Sequence, residues 1–480
     1  MYCSFGALGA VTLAFVLPGV VAAQNSSDPL PVLDFGYALH RAADFNETGG
    51  YYNFSNIRYA APPLGDLRFR APEPPAIDRS VIQDGSESRI CPQNYPPWMA
   101  TIGWVPEYLL SGTVPNTTAE ARPSTNTSST PPRDPSQDGD CLFLDVVVSQ
   151  EAFKKAGQGY GAPVLVWIYG GGYAIGSKTS GYDPRTYGGR EPAPFQQAII
   201  QSPAWTPIAA TYTQEQRFQD FLRFANVSSL AEARGLPTDQ LMDANDRQIF
   251  ASPYGSYGFG PSVDGVFVTQ DPKAALAQGH FDASVRIMVG QNSNEGLLFT
   301  PPITDDAQYL DFVRSNFPTA RDDAIDHITN TLYPPIFDGS RGYRDQVGRA
   351  ALTMGEGTFV CNAYALDRAY GNRSSYLFDV FPGLHAQDVE HTFYKPDVVY
   401  QGLPVLTMWG DNQTIAYVMQ DYFTSFAIQG IPESQEDGLS DVLTYGDDVT
   451  LTVLSKDGIV TRRDPAANER CAWWQTVLID

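Results

Sequence analysis

The chain has 480 residues, of which 43% are hydrophobic and 12% are aromatic, and this composition is that of a globular protein rather than a disordered one. Its formal net charge of −23 argues against nucleic acids and anionic membrane surfaces as partners, because Lys and Arg must neutralise the phosphates of both. The same charge suits a soluble protein that binds neutral or cationic small molecules.

The chain begins with an apolar run that is too short to span a bilayer. This run, from Phe5 to Leu17, is followed by Val21-Ala22-Ala23, small residues of the kind that precede a signal-peptidase cleavage site. We therefore predict a secretory signal peptide at residues 1–23, and a buried N-terminal helix is the alternative interpretation. No later stretch has the length and apolar character of a membrane helix, so we expect no transmembrane segment.

Asparagine sequons and cysteines agree with secretion. Eight Asn-X-Ser/Thr acceptors are typical of an exposed extracellular surface. They begin at Asn25, Asn46, Asn53, Asn116, Asn126, Asn226, Asn372 and Asn412. Cys3 would leave with the signal peptide, and the four cysteines that remain allow three pairings in an oxidising compartment, with buried free thiols as the alternative. The pairing that joins nearest neighbours in sequence is Cys91–Cys141 with Cys361–Cys471.

One segment differs from the rest of the chain in composition. Residues 111–140 are rich in Ser, Thr, Pro and Asn and contain two sequons, which predicts a flexible, glycosylated surface loop. The loop lies between Cys91 and Cys141, so we interpret it as an excursion from a domain and not as a linker. The chain has no internal repeat and no other boundary signal, and we expect residues 24–480 to form a single domain.

Short apolar runs that alternate with amphipathic stretches indicate an α/β fold. Four runs have the composition of buried parallel strands, which are hydrophobic on both faces. They are VLVWIY (164–169), QAIIQ (197–201), VRIMVG (285–290) and YLFDVF (376–381). Helices are predicted at 213–225 and 305–317. In such sheets, functional residues collect in the loops that follow the carboxyl ends of the strands.

Three of these loops contain residues suited to hydrolysis. Gly170-Gly171-Gly172 follows the first run, and consecutive glycines leave backbone N–H groups open to an oxyanion. Glu295 follows the third run and His385 follows the fourth. Taken singly, these are an ordinary turn, a solvated carboxylate and a loop imidazole. Together, an acid that precedes a histidine, each just after a strand, is the order of a hydrolase triad.

Longer motifs carry a resemblance that runs nearly from end to end of the chain. They are FSNIRYAAPPLGDLRF (54–69), GDCLFLDVVV (139–148), PVLVWIYGGGYAIGS (163–177), FQQAIIQSPAW (195–205), PSVDG (261–265), VGQNSNEG (289–296) and GLHAQD (383–388). On these motifs the chain resembles the type-B carboxylesterase/lipase family, which includes the cholinesterases and many fungal secreted esterases. The resemblance implies an α/β-hydrolase fold, with a central, mostly parallel sheet and helices on both faces.

The resemblance also implies a role for each residue of the candidate site. Glu295 would orient His385, and His385 would act as general base. Gly171 and Gly172 would supply the N–H groups of an oxyanion hole, in a loop where Tyr169 replaces the usual histidine. The substrate would be a small-molecule or lipid ester, and no cofactor or metal is implied.

Further residues take supporting roles by the same resemblance. Ser202 is similar to a family hydroxyl that lies close to the triad, and Asp388 is similar to a supporting acid. The family pattern also favours the disulfides Cys91–Cys141 and Cys361–Cys471 among the three pairings.

The nucleophile that this family requires is absent from the sequence. The family places its serine in a Gly-X-Ser-X-Gly elbow, on a sharp turn from a strand to a helix. No serine in the printed sequence has glycine at both flanking positions two residues away. In the family the elbow lies between the glycine loop and the FQQAIIQSP strand, which places it near residues 181–194, GYDPRTYGGREPAP, in this chain.

The interval around 181–194 is too short for the expected structure. A single strand–helix–strand unit takes about 30 residues or more, and the family places more than one unit here. Central strands of a parallel sheet have neighbours on both sides, so their removal exposes unpaired backbone groups and apolar faces. The other core strands, cysteines and triad partners are nevertheless retained. This consistency favours a chain that lacks a block of its gene product over an old adaptation.

Two further hypotheses follow from the sequence. A genuine short product would be an esterase-like protein that binds without hydrolysis, since the family contains adhesion members without a working serine. A metalloenzyme is disfavoured because the five histidines form neither an HExxH nor an HxxEH pattern.

Overall fold

A computed structural model describes most of the chain. The described residues are 30–114, 133–158, 162–178, 195–205, 211–371, 373–396, 403–410, 412–434, 442 and 444–476. Several predictions fall outside them. These are the signal peptide, the sequons at Asn25, Asn116, Asn126 and Asn372, most of the 111–140 excursion, and all of the junction at 181–194.

The strands belong to three sheets. They are β1 (Val32–Asp34), β2 (Leu39–Arg41), β3 (Asp44–Asn46), β4 (Tyr51–Arg58), β5 (Ile82–Gln83), β6 (Phe143–Ser149), β7 (Gln197–Gln201), β8 (Arg286–Asn292), β9 (Arg373–Asp379), β10 (Thr444–Tyr445), β11 (Thr450–Ser455) and β12 (Gly458–Arg463). Two three-stranded sheets have the orders β1-β2-β5 and β3-β4-β6. The largest sheet has the order β12-β11-β9-β8-β7, and β10 pairs with β9 beside this path.

Helices separate most of these strands along the chain. They are α1 (Val105–Ser111), α2 (Gln150–Lys154), α3 (Thr211–Phe224), α4 (Leu230–Arg234), α5 (Thr238–Phe250), α6 (Pro272–Gln278), α7 (Asp306–Asn316), α8 (Asp322–Asp326), α9 (Gln346–Gly355), α10 (Cys361–Tyr370), α11 (Gln387–Thr392), α12 (Pro404–Thr407), α13 (Gln413–Gln429) and α14 (Glu469–Thr476). Short 3₁₀ turns span Gly65–Leu67, Pro97–Trp104 and Leu297–Phe299, and π-helical turns span His327–Leu332 and Glu356–Val360. None of the helices in the described ranges combines the length and apolar character needed to cross a bilayer.

The largest sheet confirms the α/β architecture and three of the four predicted strands. Strands β7, β8, β9 and β11 run parallel to one another, whereas β12 pairs with β11 and β10 pairs with β9 in the antiparallel direction. The two predicted helices correspond to α3 and α7. Because parallel strands end at one edge of a sheet, the loops after β7, β8 and β9 lie side by side.

Helices cover both faces of this sheet, and the alternation of side chains along β8 shows how. Met288 packs with Val418 and Phe426 of α13 on one face. Its neighbours Ile287 and Val289 pack with residues of α10 on the other. Side chains alternate between faces along a strand, so the part of a strand that is covered on both sides must be apolar, as residues 287–290 of the predicted run are.

The predicted strand at 164–169 is wrong. The structure has no strand within 162–170, and the side chains that should lie in the core face solvent, with Val164 81% and Ile168 61% exposed. A parallel strand exists only where neighbours satisfy its backbone, and no described residue pairs with this segment as a strand. Among the described strands, β6 is accordingly the edge strand of one sheet and β7 the edge strand of another. The sequence predicted one continuous sheet, whereas the structure has two separate ones at this point.

Both predicted disulfides are present. Cys91 is bonded to Cys141 across a separation of 50 residues, and Cys361 to Cys471 across 110. The second bond joins the start of α10 to α14 within the core cluster that also contains Phe299 and Phe359. The part of the 111–140 excursion that the structure describes, 111–114 and 133–140, lies inside the first ring.

Candidate active site

An acid and a histidine meet above the carboxyl ends of adjacent strands. Nδ1 of His385 lies 2.6 Å from Oε2 of Glu295. The Glu295 side chain is fully buried, whereas 26% of the His385 side chain is exposed. A carboxylate at this distance accepts the proton of Nδ1, which leaves Nε2 of the neutral imidazole as the basic atom.

The loops that carry this pair are fastened to each other. The backbone N–H of Asn294 donates to the carbonyl of Gly383 at 2.8 Å, and Asn294 forms an isolated parallel bridge with Leu384. Gly383 has a φ of +66°, and a Cβ at this position would overlap Oγ of Ser293. Only glycine therefore permits the approach of the two loops that places His385 beside Glu295.

Ser202 and Asn292 hold the second oxygen of the acid. Oγ of Ser202 donates to Oε1 of Glu295 at 2.7 Å, and the backbone N–H of Asn292 donates to the same oxygen at 2.6 Å. The side-chain amide of Asn292 in turn donates to Oγ of Ser202 at 3.2 Å. With one oxygen held from the strand side, the other is fixed toward His385, so the carboxylate cannot rotate without the loss of these bonds.

Asp388 forms a second buried carboxylate behind the first. It accepts from Nε2 of Gln201 at 3.0 Å, from the Tyr376 hydroxyl at 2.9 Å and from Nδ2 of Asn292 at 3.1 Å. Burial and the negative charge of Glu295 raise the pKa of Asp388 above its ordinary value of 3.8, although the three donors oppose the change. The network joins the ends of β7 and β8 to the middle of β9.

The raised pKa of Asp388 predicts a pH-dependent stability. A group that binds its proton more tightly in the folded protein stabilises the fold fully below its unfolded pKa, and this contribution is lost as pH rises through the folded value. Asp388→Asn removes this pH dependence of the free energy of unfolding. The new amide also points an N–H at one of the three donors, which lowers the free energy of unfolding by about 1–3 kcal/mol at acid pH. We expect the difference in free energy of unfolding between wild type and variant, measured by urea unfolding, to become smaller as pH rises. Asp457→Asn, at an exposed position, is the control, and a gap that widens with pH would contradict the prediction.

The glycine loop adopts the open conformation that an oxyanion site requires. Gly171 and Gly172 have φ values of +136° and +57°, and a Cβ on Gly172 would overlap the ring of Tyr257. Within the described residues their N–H groups donate to no other group, so both are open to an acceptor. The next residue, Tyr173, also has a positive φ of 65°, and its hydroxyl donates to the carbonyl of Ala204 at 3.1 Å.

Aromatic rings form an apolar wall around the histidine. The ring of Phe359 lies 4.4 Å from that of His385 between centroids, and the ring of Phe299 lies at 5.1 Å. Both phenylalanines are buried. The wall restricts the imidazole to the orientation that its bond to Glu295 selects, and it keeps water from one side of the ring.

The structure brings together four of the residues singled out from the sequence, Glu295, His385, Ser202 and Asp388. Sequence reasoning missed the residues that connect them. These are Gln201, Asn292, Phe359 and Tyr376. The two polar residues at strand ends, Gln201 and Asn292, carried a usable signal, because each interrupts an apolar run at the edge where loops of the site begin.

Comparisons with known proteins identify the family and the fold. The model of the carboxylesterase family matches residues 40–191 and 189–448. Carboxylesterase patB of Penicillium expansum is 32% identical over 560 aligned positions, which cover 95% of this chain and 97% of the relative. A secreted lipase of Arthroderma benhamiae is 22% identical over 71% of this chain and 83% of the lipase.

A solved structure shows the same fold. The crystal structure of EstA from Aspergillus niger superposes with a TM-score of 0.72 at 20% identity, over 93% of this chain and 98% of EstA. The class defined by the fold is therefore the α/β-hydrolase class, with a mixed, mostly parallel sheet between helices. Within that class, the chain belongs to the carboxylesterase family.

Proposed function

We propose that the complete product of this gene is a secreted serine carboxylesterase, and that the chain as printed lacks the nucleophile and is inactive. The observation that carries the proposal is the 2.6 Å contact between His385 and Glu295 in the loops after two adjacent strands. This contact leaves Nε2 of the histidine available, and no described serine forms a hydrogen bond with that atom.

The proposed reaction is acyl transfer in two halves. A serine hydroxyl attacks the ester carbonyl while Nε2 of His385 takes its proton, and Glu295 stabilises the imidazolium that forms. The N–H groups of Gly171 and Gly172 donate to the oxyanion. The histidine returns its proton to the departing alcohol, and water then repeats the sequence on the acyl-enzyme to release the acid. Every atom of this sequence is supplied by substrate, water and side chains, so no cofactor is needed.

Several observations support the loss of a segment near residues 181–194. The family match is divided into two parts that meet at residues 189–191. The alignment with the patB relative extends over 560 positions, more than the 480 residues of this chain, so at many positions only the relative has a residue. The exposed apolar segment at 164–169 and the unpaired edge of β7 are the expected result of removing strands that would lie between them.

The proposals of secretion and of the substrate class are supported by features outside the candidate site. Residues 1–23 have the pattern of a signal peptide, both predicted disulfides are compatible with an oxidising compartment, and one relative is a secreted lipase. We propose small-molecule or lipid esters as substrates and a single catalytic domain over residues 24–480.

The test of this proposal is the transcript across codons 181–194. We expect a mature transcript that encodes an inserted block with a Gly-X-Ser-X-Gly elbow. A mature transcript that joins these codons directly would contradict the enzyme proposal. It would support the second candidate, an esterase-like protein that binds esters or a partner without hydrolysis, for which the missing serine is the favouring observation.

A further inference from the structure

A surface depression lies between the loop after β9 and the start of α13. Its volume is about 460 Å³, within the range of ~300–1,000 Å³ that is common for small-molecule sites. Two aromatic residues, Phe381 and Trp409, form its apolar part, while Asn412, Thr414 and Lys456 contribute polar groups to its rim. None of these residues contributes to the hydrogen-bond network of the acid and the histidine.

The aromatic part of the depression is partly exposed, and its two rings contact each other. The rings of Phe381 and Trp409 are perpendicular, with centroids 5.2 Å apart, and 50% of Phe381 is exposed. The indole N–H of Trp409 donates to the carbonyl of Val405 at 2.8 Å, which fixes the plane of the ring. A partly exposed aromatic pair that is held in one geometry is a platform for an apolar or partly apolar ligand.

Asn412 occupies the rim in a fixed orientation. Its Oδ1 accepts from the N–H of Ile415 at 3.1 Å and caps α13, and its own backbone N–H donates to Nε2 of His391 at 3.1 Å. Its Nδ2 makes no hydrogen bond with the described residues, so the amide nitrogen points to solvent. Asn412-Gln413-Thr414 is also a glycosylation sequon, and Trp409 precedes its asparagine by three residues.

We infer that Asn412 carries an N-linked glycan and that the first sugar, an N-acetylglucosamine, packs in this depression against Trp409 and Phe381. The C–H face of a pyranose is apolar and suits an aromatic ring, while its hydroxyls meet the polar groups of Thr414 and Lys456. The inference rests on the proposed secretion, because the modification occurs in the secretory pathway.

The chemistry of attachment leaves the helix cap intact. The donor is a lipid-diphosphate-linked oligosaccharide. Nδ2 of Asn412 forms a bond to C1 of the sugar, the bond from C1 to the diphosphate oxygen breaks, and the amide loses one proton as the lipid diphosphate leaves. Oδ1 is unchanged by this transfer, so it continues to accept from Ile415 at the start of α13.

The other described sequons lack this combination. Asn46 donates from Nδ2 to the Tyr51 hydroxyl at 3.1 Å and accepts from Gly49 at 2.7 Å, so both ends of its amide are engaged. Asn53 lies in β4, the middle strand of its sheet, with Oδ1 buried. Asn226 is exposed and serves as an internal reporter of passage through the secretory pathway.

Glycopeptide mapping of the protein secreted by a eukaryotic host is the first experiment. We expect the peptide with Asn412 to be modified in the mature protein. If Asn226 or another sequon is glycosylated and Asn412 is not, this inference is overturned, whereas the proposed secretion is supported. A secreted protein with no modified sequon would also overturn this inference, and failure to secrete any protein from the complete gene would count against the secretory proposal itself.

A pair of substitutions then tests the packing. Thr414→Ala removes the sequon while it leaves Asn412 to cap α13, and Thr414→Ser keeps the sequon as the matched control. We expect Thr414→Ala to lower the melting midpoint by roughly 2 °C with Trp409 present, and to have little effect in a Trp409→Ala background. Equal shifts in both backgrounds would show that the glycan does not contact this platform.

Discussion

Purified protein of the printed sequence is expected to stay unlabelled by a serine-directed phosphonate and to hydrolyse nitrophenyl esters about a millionfold more slowly than the complete gene product. The reason is the missing hydroxyl at Nε2 of His385, since removal of the nucleophile from a triad costs on the order of a millionfold in turnover. Ser202 cannot replace it, because its Oγ is buried and already donates to Glu295. Intact mass spectrometry after exposure to the phosphonate measures the outcome.

The control for this experiment is the complete gene product with its elbow. We expect one phosphonate adduct per molecule, located on the serine of the inserted block, and loss of that labelling in the His385→Ala variant of the same protein. Stoichiometric labelling of the printed chain at Ser202, or at any other serine already present, would refute the assignment of the site.

Glu295→Gln in the complete gene product should lower kcat by about ten-thousandfold. Glu295 accepts the Nδ1 proton of His385, and a glutamine amide can donate there instead and favour the tautomer whose Nε2 carries the proton. The imidazole then cannot accept from the serine. Because the loss falls in the transition state, we expect KM to change much less than kcat, as measured with a soluble short-chain ester.

A matched variant and a double variant complete this test. Glu151 is exposed on α2, and Glu151→Gln should leave both kinetic constants within about twofold, as expected for a surface change. Combination of Glu295→Gln with His385→Ala should be no slower than His385→Ala alone, because residues of a triad act as a unit. A loss under tenfold for Glu295→Gln would show that another acid orients the histidine.

The strands of the largest sheet were predictable where the composition of a segment indicates that it is buried. β7, β8 and β9 each contain an apolar run, and both faces of β8 are in fact covered, by α13 and α10. The same apolar signal at 164–169 gave a wrong prediction, because a strand also requires neighbours. The hydrophobicity of a segment indicates which of its surfaces must be buried, whereas its hydrogen bonding in a sheet depends on strands elsewhere in the chain.

The candidate site divides in a similar way. Glu295 and His385 were predictable because polar residues just after buried strands are brought together by topology. The contact of Asn292 with Ser202, Glu295 and Asp388 was not, because it depends on how far apart the strand ends lie and on which rotamers the packing allows. Phe359 stands in a π-helical turn, whose local widening has no distinct sequence pattern.

The bare stretch from Val164 to Tyr169 has a consequence for the cell. Apolar residues of high β propensity that face solvent are ligands for chaperones and seeds for aggregation. On the proposed secretory route, a polypeptide of the printed length is expected to be retained and degraded in the endoplasmic reticulum, whereas the proposed complete product would bury this segment and be secreted. Culture medium would then contain the complete gene product, even if a transcript for the shorter chain were also translated.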